Sequence, residues 1–291
     1  MKPPPFEYFA PASLDEALAL MAEHGWDAKP LAGGQSLIPM MNFRLAQPEV
    51  LVDLNPVGEL AYIRPADDGG VLIGAMTRHK VVQFDELIAE RAPLVHDAMP
   101  RIATHQVRNR GTFGGSLAHA DPAAELVSIS LTLNARLKLQ SASGERWVAA
   151  EDFFLGLFTT ALEPEEILTE IHLPPMPGRS GWSLQEVARR PHDFALMGVA
   201  AVVTLDEDGR CAAASLSYLS AGDRPMKGEH ASQVLLGEKP SAELFRAAAE
   251  AGASQDIEPS DDIHASAEFR RHLANVLTRR ALEEAFARAA A

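Results

Sequence analysis

The stretch "PLAGGQSLIPMMNFRLA" at residues 30–46 joins a short apolar run to Gly33-Gly34, a polar pair and a second apolar run. Further on, "RNRGTFGGSLAHADPAAE" at residues 108–125 repeats the arrangement around Gly114-Gly115 and Ser116. Glycine has no Cβ, so it takes positive φ at little cost and lets another group come close to the backbone. Successive backbone N–H groups in such a turn form a concavity suited to an anion. One such loop is as readily an ordinary strand-end turn. A matched pair is more specific, and two concavities suit the two negative groups of a pyrophosphate. On this reading a valine at Gly33 or Gly114 blocks the ligand without unfolding the chain. The usual nucleotide motifs are absent. No G-x-G-x-x-G opens a helix and no G-x-x-x-x-G-K-[ST] is present, so a dinucleotide needs some other fold.

The surroundings read as alternating strands and helices. Residues 13–24, "SLDEALALMAEH", read as a helix with Ser13 and Glu16 at capping-box spacing and Gly25 at its end. Strands follow at Ala28–Leu31 and in "VLVDL" at 50–54, and residues 60–76 read as a hairpin turning at Asp68-Gly69. Residues 83–103 read as mainly helical, and a further helix begins at Asp121 as N-cap with Pro122 at N1. "ARLKLQSASGERWV" is a second hairpin, and "EILTEIHLPPMPG" is a strand running into a proline-rich break at 174–180. That break divides the chain into units 1–177 and 178–291. In the second unit, "WSLQEVARR", "VAAVVTLD" and "CAAASLSYLS" read as antiparallel strands, followed by helices at "SAELFRAAAEAG" and from Ser266 to Ala289. The fold class is α+β.

Composition narrows the function. The 291 residues are 47% hydrophobic, enough for a substantial core, and carry a net charge of −14. Such a charge argues against nucleic acid as the main partner and against adsorption to anionic membranes. The lone Cys211 excludes an internal disulfide and any cluster or zinc site needing several thiolates. "MKPPPFEYF" lacks a signal-peptide core, and no apolar run approaches the roughly 20 residues of a membrane span, so a cytoplasmic location is expected.

With these residues in view, the chain resembles the FAD-binding medium subunit of molybdenum hydroxylases, the heterotrimeric relatives of xanthine dehydrogenase and aerobic carbon monoxide dehydrogenase. The resemblance lies in residues 29–55, 106–126, 166–175 and 186–200, in order and over nearly the whole chain. It implies an FAD-binding domain of the vanillyl-alcohol-oxidase (PCMH) type, then a smaller α+β C-terminal domain. It also implies partners: a large subunit with the molybdopterin site, a small subunit with two [2Fe–2S] clusters, and assembly as a dimer of heterotrimers. Electrons would reach FAD on this chain singly and leave for an external acceptor. An extra cluster, which some medium subunits hold in a cysteine-rich insertion, is excluded here.

By resemblance, Leu31, Ala32, Gly33, Gly34, Gln35, Ser36, Leu37 and Ile38 match the first pyrophosphate loop, with Lys29 and Pro30 before it also cofactor-binding. Thr112, Phe113, Gly114, Gly115 and Ser116 form the second, with Ser116 where asparagine is common. Ile102 matches an apolar contact, Glu125 an acid that holds a cofactor hydroxyl, and Leu168 a backbone contact near the flavin ring. Phe194 matches a position beside the isoalloxazine, and Glu186 stands where a cofactor-contacting lysine is frequent. Read without the resemblance, Arg108 and Arg110 are solvated surface arginines, and Asp121 is a helix cap rather than a base. His105 and His119 have no second ligand at metal spacing, so no metal site is expected. No nucleophile–base pair is visible, which suits a chain whose chemistry belongs to its cofactor. A stand-alone FAD-dependent oxidase and an FAD-binding scaffold subunit without redox turnover remain as alternatives.

Overall fold

The computed structural model describes residues 1–291. In chain order, β1 (Glu7–Phe9), α1 (Leu14–His24), β2 (Ala28–Leu31), α2 (Leu37–Asn42) and β3 (Val50–Asp53) build a three-stranded parallel sheet of order β1-β3-β2. The α1 helix forms where its caps predict. The Ser13 hydroxyl accepts from the Glu16 N–H at 3.2 Å, and Gly25 ends the helix at φ 47°. Ala17, Leu18 and Met21 of α1 pack on the buried Val50 and Val52 of β3.

Next come β4 (Ile63–Pro65), β5 (Val71–Gly74), α3 (His79–Phe84), α4 (Glu86–Arg91), α5 (Pro93–Ala98), α6 (His105–Arg110), α7 (Phe113–His119) and α8 (Glu125–Thr132). The run 83–103 is thus broken rather than continuous. Asp85 caps α4 through the Ile88 N–H, and Pro93 opens α5. After them lie β6 (Arg136–Ser141), β7 (Gly144–Ala149), α9 (Ala150–Phe153), β8 (Phe154–Gly156), β9 (Thr159–Thr160) and β10 (Ile167–Leu173). β4-β5-β10-β6-β7 form an antiparallel sheet, covered by a core that includes Phe113, Leu117, Leu126 and Ile129 from α7 and α8.

Two local expectations are corrected. The second glycine stretch is the first turn of α7, with Thr112 as N-cap, and not a loop. Asp121 does not cap α8. Its carboxylate accepts from the Ala123 N–H at 2.9 Å, and its carbonyl accepts from Ala124 at 2.9 Å. That self-contained turn delays the helix, whose N-cap is Ala124.

Past Pro174–Gly178, β11 (Ser180–Ala188), β12 (Ala195–Leu205), β13 (Cys211–Leu219) and β14 (Met226–Lys227) form a four-stranded antiparallel sheet. The near-continuous apolar run of β12 fits a strand covered on both faces. One face carries Leu184, Ala195, Ala200 and Leu219 into the core shared with α5 and α8. The other packs against α10 (Glu229–Leu235), α11 (Ala242–Ala251) and α12 (Ala267–Ala290). No helix is long and apolar enough to cross a membrane.

Candidate functional site

Two separated regions hold the residues singled out in the sequence. The first is the junction between the β2–α2 turn and the start of α7. Here the backbone N–H groups of Gly33, Gly34, Gln35 and Ser36 donate to no carbonyl of the chain, a row of donors at the mouth of the turn. Gly34 adopts φ 71°, which a side chain would strain. The Gln35 side-chain amide returns to the Gly33 carbonyl at 3.0 Å and fixes the turn. Leu37 and Ile38 begin α2, while Lys29, Pro30 and Leu31 lie in β2 with Lys29 exposed. The turn faces a cleft of about 340 Å³ whose walls include Ile38, Asn42, Asn55 and Arg110.

The second glycine stretch is not a second concavity. The Phe113 N–H donates to the Thr77 carbonyl and the Gly114 N–H to the Ala75 carbonyl, both at 2.9 Å. The Gly115 N–H is taken by the Thr112 hydroxyl at 3.0 Å and the Ser116 N–H by the Thr112 carbonyl at 3.1 Å. Phe113 is fully buried, so its side chain serves the core, whereas Ser116 is half-buried. The glycines have a packing reason. A Cβ at Gly33 would stand 2.8 Å from Gly111 Cα, and one at Gly114 would stand 2.8 Å from Ala75 Cα. The missing Cβ atoms let backbone meet backbone, so bulk at either position disturbs the frame as well as any ligand. This overturns the expectation that valine there would spare the fold.

A brace that the sequence reading missed joins the two stretches. The Asn55 amide donates to the Ala32 carbonyl at 2.9 Å. Arg78 donates from one Nη to the Asn55 Oδ1 and from the other to the Arg110 carbonyl. Burial is the first cause lowering the Arg78 pKa, and the Arg110 charge adds to it, yet a guanidinium remains a cation. The Tyr8 hydroxyl donates to Asp53 Oδ2 at 2.5 Å, and Asp53 Oδ1 accepts from the Asn55 N–H at 2.9 Å.

The second region lies where α8 meets the four-stranded sheet. Arg108, read from sequence as a surface residue, is only 2% exposed. Its guanidinium donates to the carbonyls of Ile102 at 2.8 Å and Ala103 at 2.6 Å, and to Gln83 at 3.0 Å. It therefore clamps the corner that presents Ile102, where Ala103 has φ 47°. Arg110, by contrast, is exposed at the cleft. Arg101 crosses to the Leu184 carbonyl of β11 at 2.8 Å.

Glu125 is buried at the start of α8. Burial pushes its carboxyl up to about 7, and the negative charges of Glu186 and Asp121 push the same way. Burial also raises Glu186, one of whose carboxylate oxygens is buried without a partner. Leu168 is buried in β10 beside a bulge in the ladder to β6. Phe194 is 70% exposed just before β12, a large apolar surface with no place in the core.

The row of free N–H donors, held open by the Asn55–Arg78 brace, fits a phosphate-bearing cofactor such as FAD. Comparison with known proteins agrees. Residues 4–176 match the FAD binding domain in molybdopterin dehydrogenase, and residues 182–285 match the CO dehydrogenase flavoprotein C-terminal domain. The chain is 40% identical to the 6-hydroxypseudooxynicotine dehydrogenase complex subunit alpha of Paenarthrobacter nicotinovorans, covering 99% of this chain and 97% of that one. It superimposes with a TM-score of 0.95 on a chain of carbon monoxide dehydrogenase from Hydrogenophaga pseudoflava, at 38% identity and 99% coverage of both. Quinoline 2-oxidoreductase from Pseudomonas putida 86 gives a TM-score of 0.94 at 38% identity, again covering 99% of both chains. The chain belongs to the family of FAD-binding medium subunits of multi-subunit molybdenum hydroxylases.

Proposed function

We propose that this chain carries electrons through FAD within a cytoplasmic heterotrimer, two copies of which associate. The observation that carries the reading is the row of unpaired N–H groups from Gly33 to Ser36, braced against the α7 start. These groups hold the pyrophosphate, with Lys29–Leu31 and Leu37–Ile38 as the framework on either side. Thr112–Ser116 close the opposite wall, chiefly by packing and through the Ser116 hydroxyl. Arg110 at the cleft offsets phosphate charge.

At the other end Ile102 supplies an apolar contact, Glu125 accepts from a hydroxyl of the cofactor, and the Leu168 backbone and Phe194 side chain flank the flavin ring. Residues 1–177 would form the cofactor unit and residues 178–291 the unit that completes its flavin end. FAD, when bound, supplies the junction between one-electron donors and an external acceptor. The molybdopterin site and the [2Fe–2S] clusters lie on the large and small partners, so the substrate is chosen there.

The test is reconstitution. Purified with both partners, the complex should lose its visible flavin band when substrate is added without acceptor, and this chain alone should not. Turnover of an organic substrate with oxygen by this chain alone would replace the proposal with a stand-alone oxidase.

A further inference from the structure

Ser220 follows β13 with a left-handed backbone, φ 57°, which a non-glycine residue adopts only when its neighbours hold it there. Its N–H donates to the Pro122 carbonyl at 2.8 Å, and its hydroxyl donates to the Ala195 carbonyl at 2.6 Å. Its own carbonyl accepts from Arg270 Nη1 at 3.2 Å. The same Arg270 nitrogen reaches the Leu196 carbonyl at 2.7 Å, and its other nitrogen reaches Asp262 at 2.6 Å. The Arg270 side chain is 7% exposed, so these are bonds of a buried cation on α12.

Pro122 lies in the turn that leads into Glu125, and Ala195 directly follows Phe194. One residue thus fixes the Glu125 turn against the start of the strand that presents Phe194. Those two positions come from opposite sides of the proline-rich break.

We propose that Ser220, locked from behind by Arg270, is a positioning residue for the flavin end of the site, setting the Phe194 strand against the Glu125 turn. The inference rests on the reading that Glu125 and Phe194 face FAD. It does not involve the free N–H row, which lies in the other region.

Two variants of the full chain test it. S220A removes the hydroxyl. S220G removes it too but is at ease at φ 57°, so loss of folding does not obscure the result. The readouts are FAD per chain, thermal midpoint, visible circular dichroism of the bound flavin and its midpoint potential. Both variants should hold FAD in the wild-type ratio, with the pyrophosphate end intact. Both should show the same altered flavin dichroism and a shifted potential, and S220G should do so at a wild-type thermal midpoint. Wild-type dichroism and potential in S220G would overturn the proposal, and so would a change confined to S220A. A wild-type chain that takes up no FAD would instead remove the functional reading beneath it, and this inference with it.

Discussion

Replacing Glu125 by glutamine separates the two demands placed on that residue. The carboxyl is 9% exposed, and burial raises it from an ordinary value of 4.5 to about 7. A folded-state pKa above the unfolded one means that the fold prefers the protonated acid. The contribution is complete below the unfolded pKa and is lost as pH rises through about 7. At 1.36 kcal/mol per unit, the full swing is about 3 kcal/mol. Glutamine has nearly the same shape and never ionises, so E125Q should escape the loss. Unfolding of the cofactor-free chain by denaturant, from pH 4.5 to pH 8.5, should give curves that nearly meet at the acid end. By the alkaline end E125Q should be the more stable by about 3 kcal/mol. Glu186 and Asp121 raise the Glu125 pKa and Arg101 opposes them, so the variant-minus-wild-type difference isolates this site within its charge environment. FAD binding should move the other way. At pH 8.5, where the carboxyl is ionised, an amide is a poorer acceptor than the carboxylate for a cofactor hydroxyl, and the lost charge-assisted bond should weaken binding by about 1–2 kcal/mol. Parallel pH profiles for the two proteins would refute the burial argument. Tighter FAD binding by E125Q would refute the assigned role.

Other perturbations follow from the packing. Gly33→Ala should lower both the thermal midpoint and the FAD content, because its Cβ meets Gly111 Cα at 2.8 Å, whereas Gly58→Ala, whose Cβ meets open space, should leave the FAD content unchanged. Arg78→Met cuts the link from Asn55 to the Arg110 carbonyl and should raise the FAD dissociation constant at least tenfold, read by flavin fluorescence. Arg108→Met leaves the Ile102 and Ala103 carbonyls without their donor and should destabilise the chain by about 3 kcal/mol in urea.

Local chemistry made much of the fold legible, and its absence hid the rest. The α1 helix announced itself through Ser13, Glu16 and Gly25, and the β4–β5 turn through Gly69, which takes φ 92°. The α7 helix did not, because two adjacent glycines argue against a helix. The Thr112 cap and the close packing of Gly114 on Ala75 override that propensity. Arg108 looked like a surface charge because most of its partners are backbone carbonyls, which leave no trace in residue types. The Asn55–Arg78–Arg110 brace has the same character. It joins residues 23 and 32 apart through side-chain amide and guanidinium groups, and no spacing rule describes it. Gly33 and Gly34 were rightly marked as special, but the structural reason at Gly33 is contact between chain segments.

These two kinds of construction bear on what the C-terminal unit is for. The N–H row is built from backbone near the amino end and owes nothing to residues beyond the proline break. The other end is assembled across that break. Arg101 reaches the Leu184 carbonyl, and the Ser220 N–H reaches the Pro122 carbonyl. Ser217 meets both Ser128 at 2.7 Å and Thr132 at 2.5 Å in a buried hydroxyl cluster between β13 and α8. The donors of the N–H row are backbone groups that every residue type but proline carries, and what the row asks of its side chains is the close packing at Gly33 and the Asn55–Arg78 brace that aim the turn. The other end asks for side chains and carbonyls from both sides of the break, so a small rotation between them alters every distance at once. On the proposed reading, the N–H row bears chiefly on holding FAD and the sheet–α8 junction on adjusting its flavin. Substitutions at the sheet–α8 junction should change potential and dichroism before they change cofactor content.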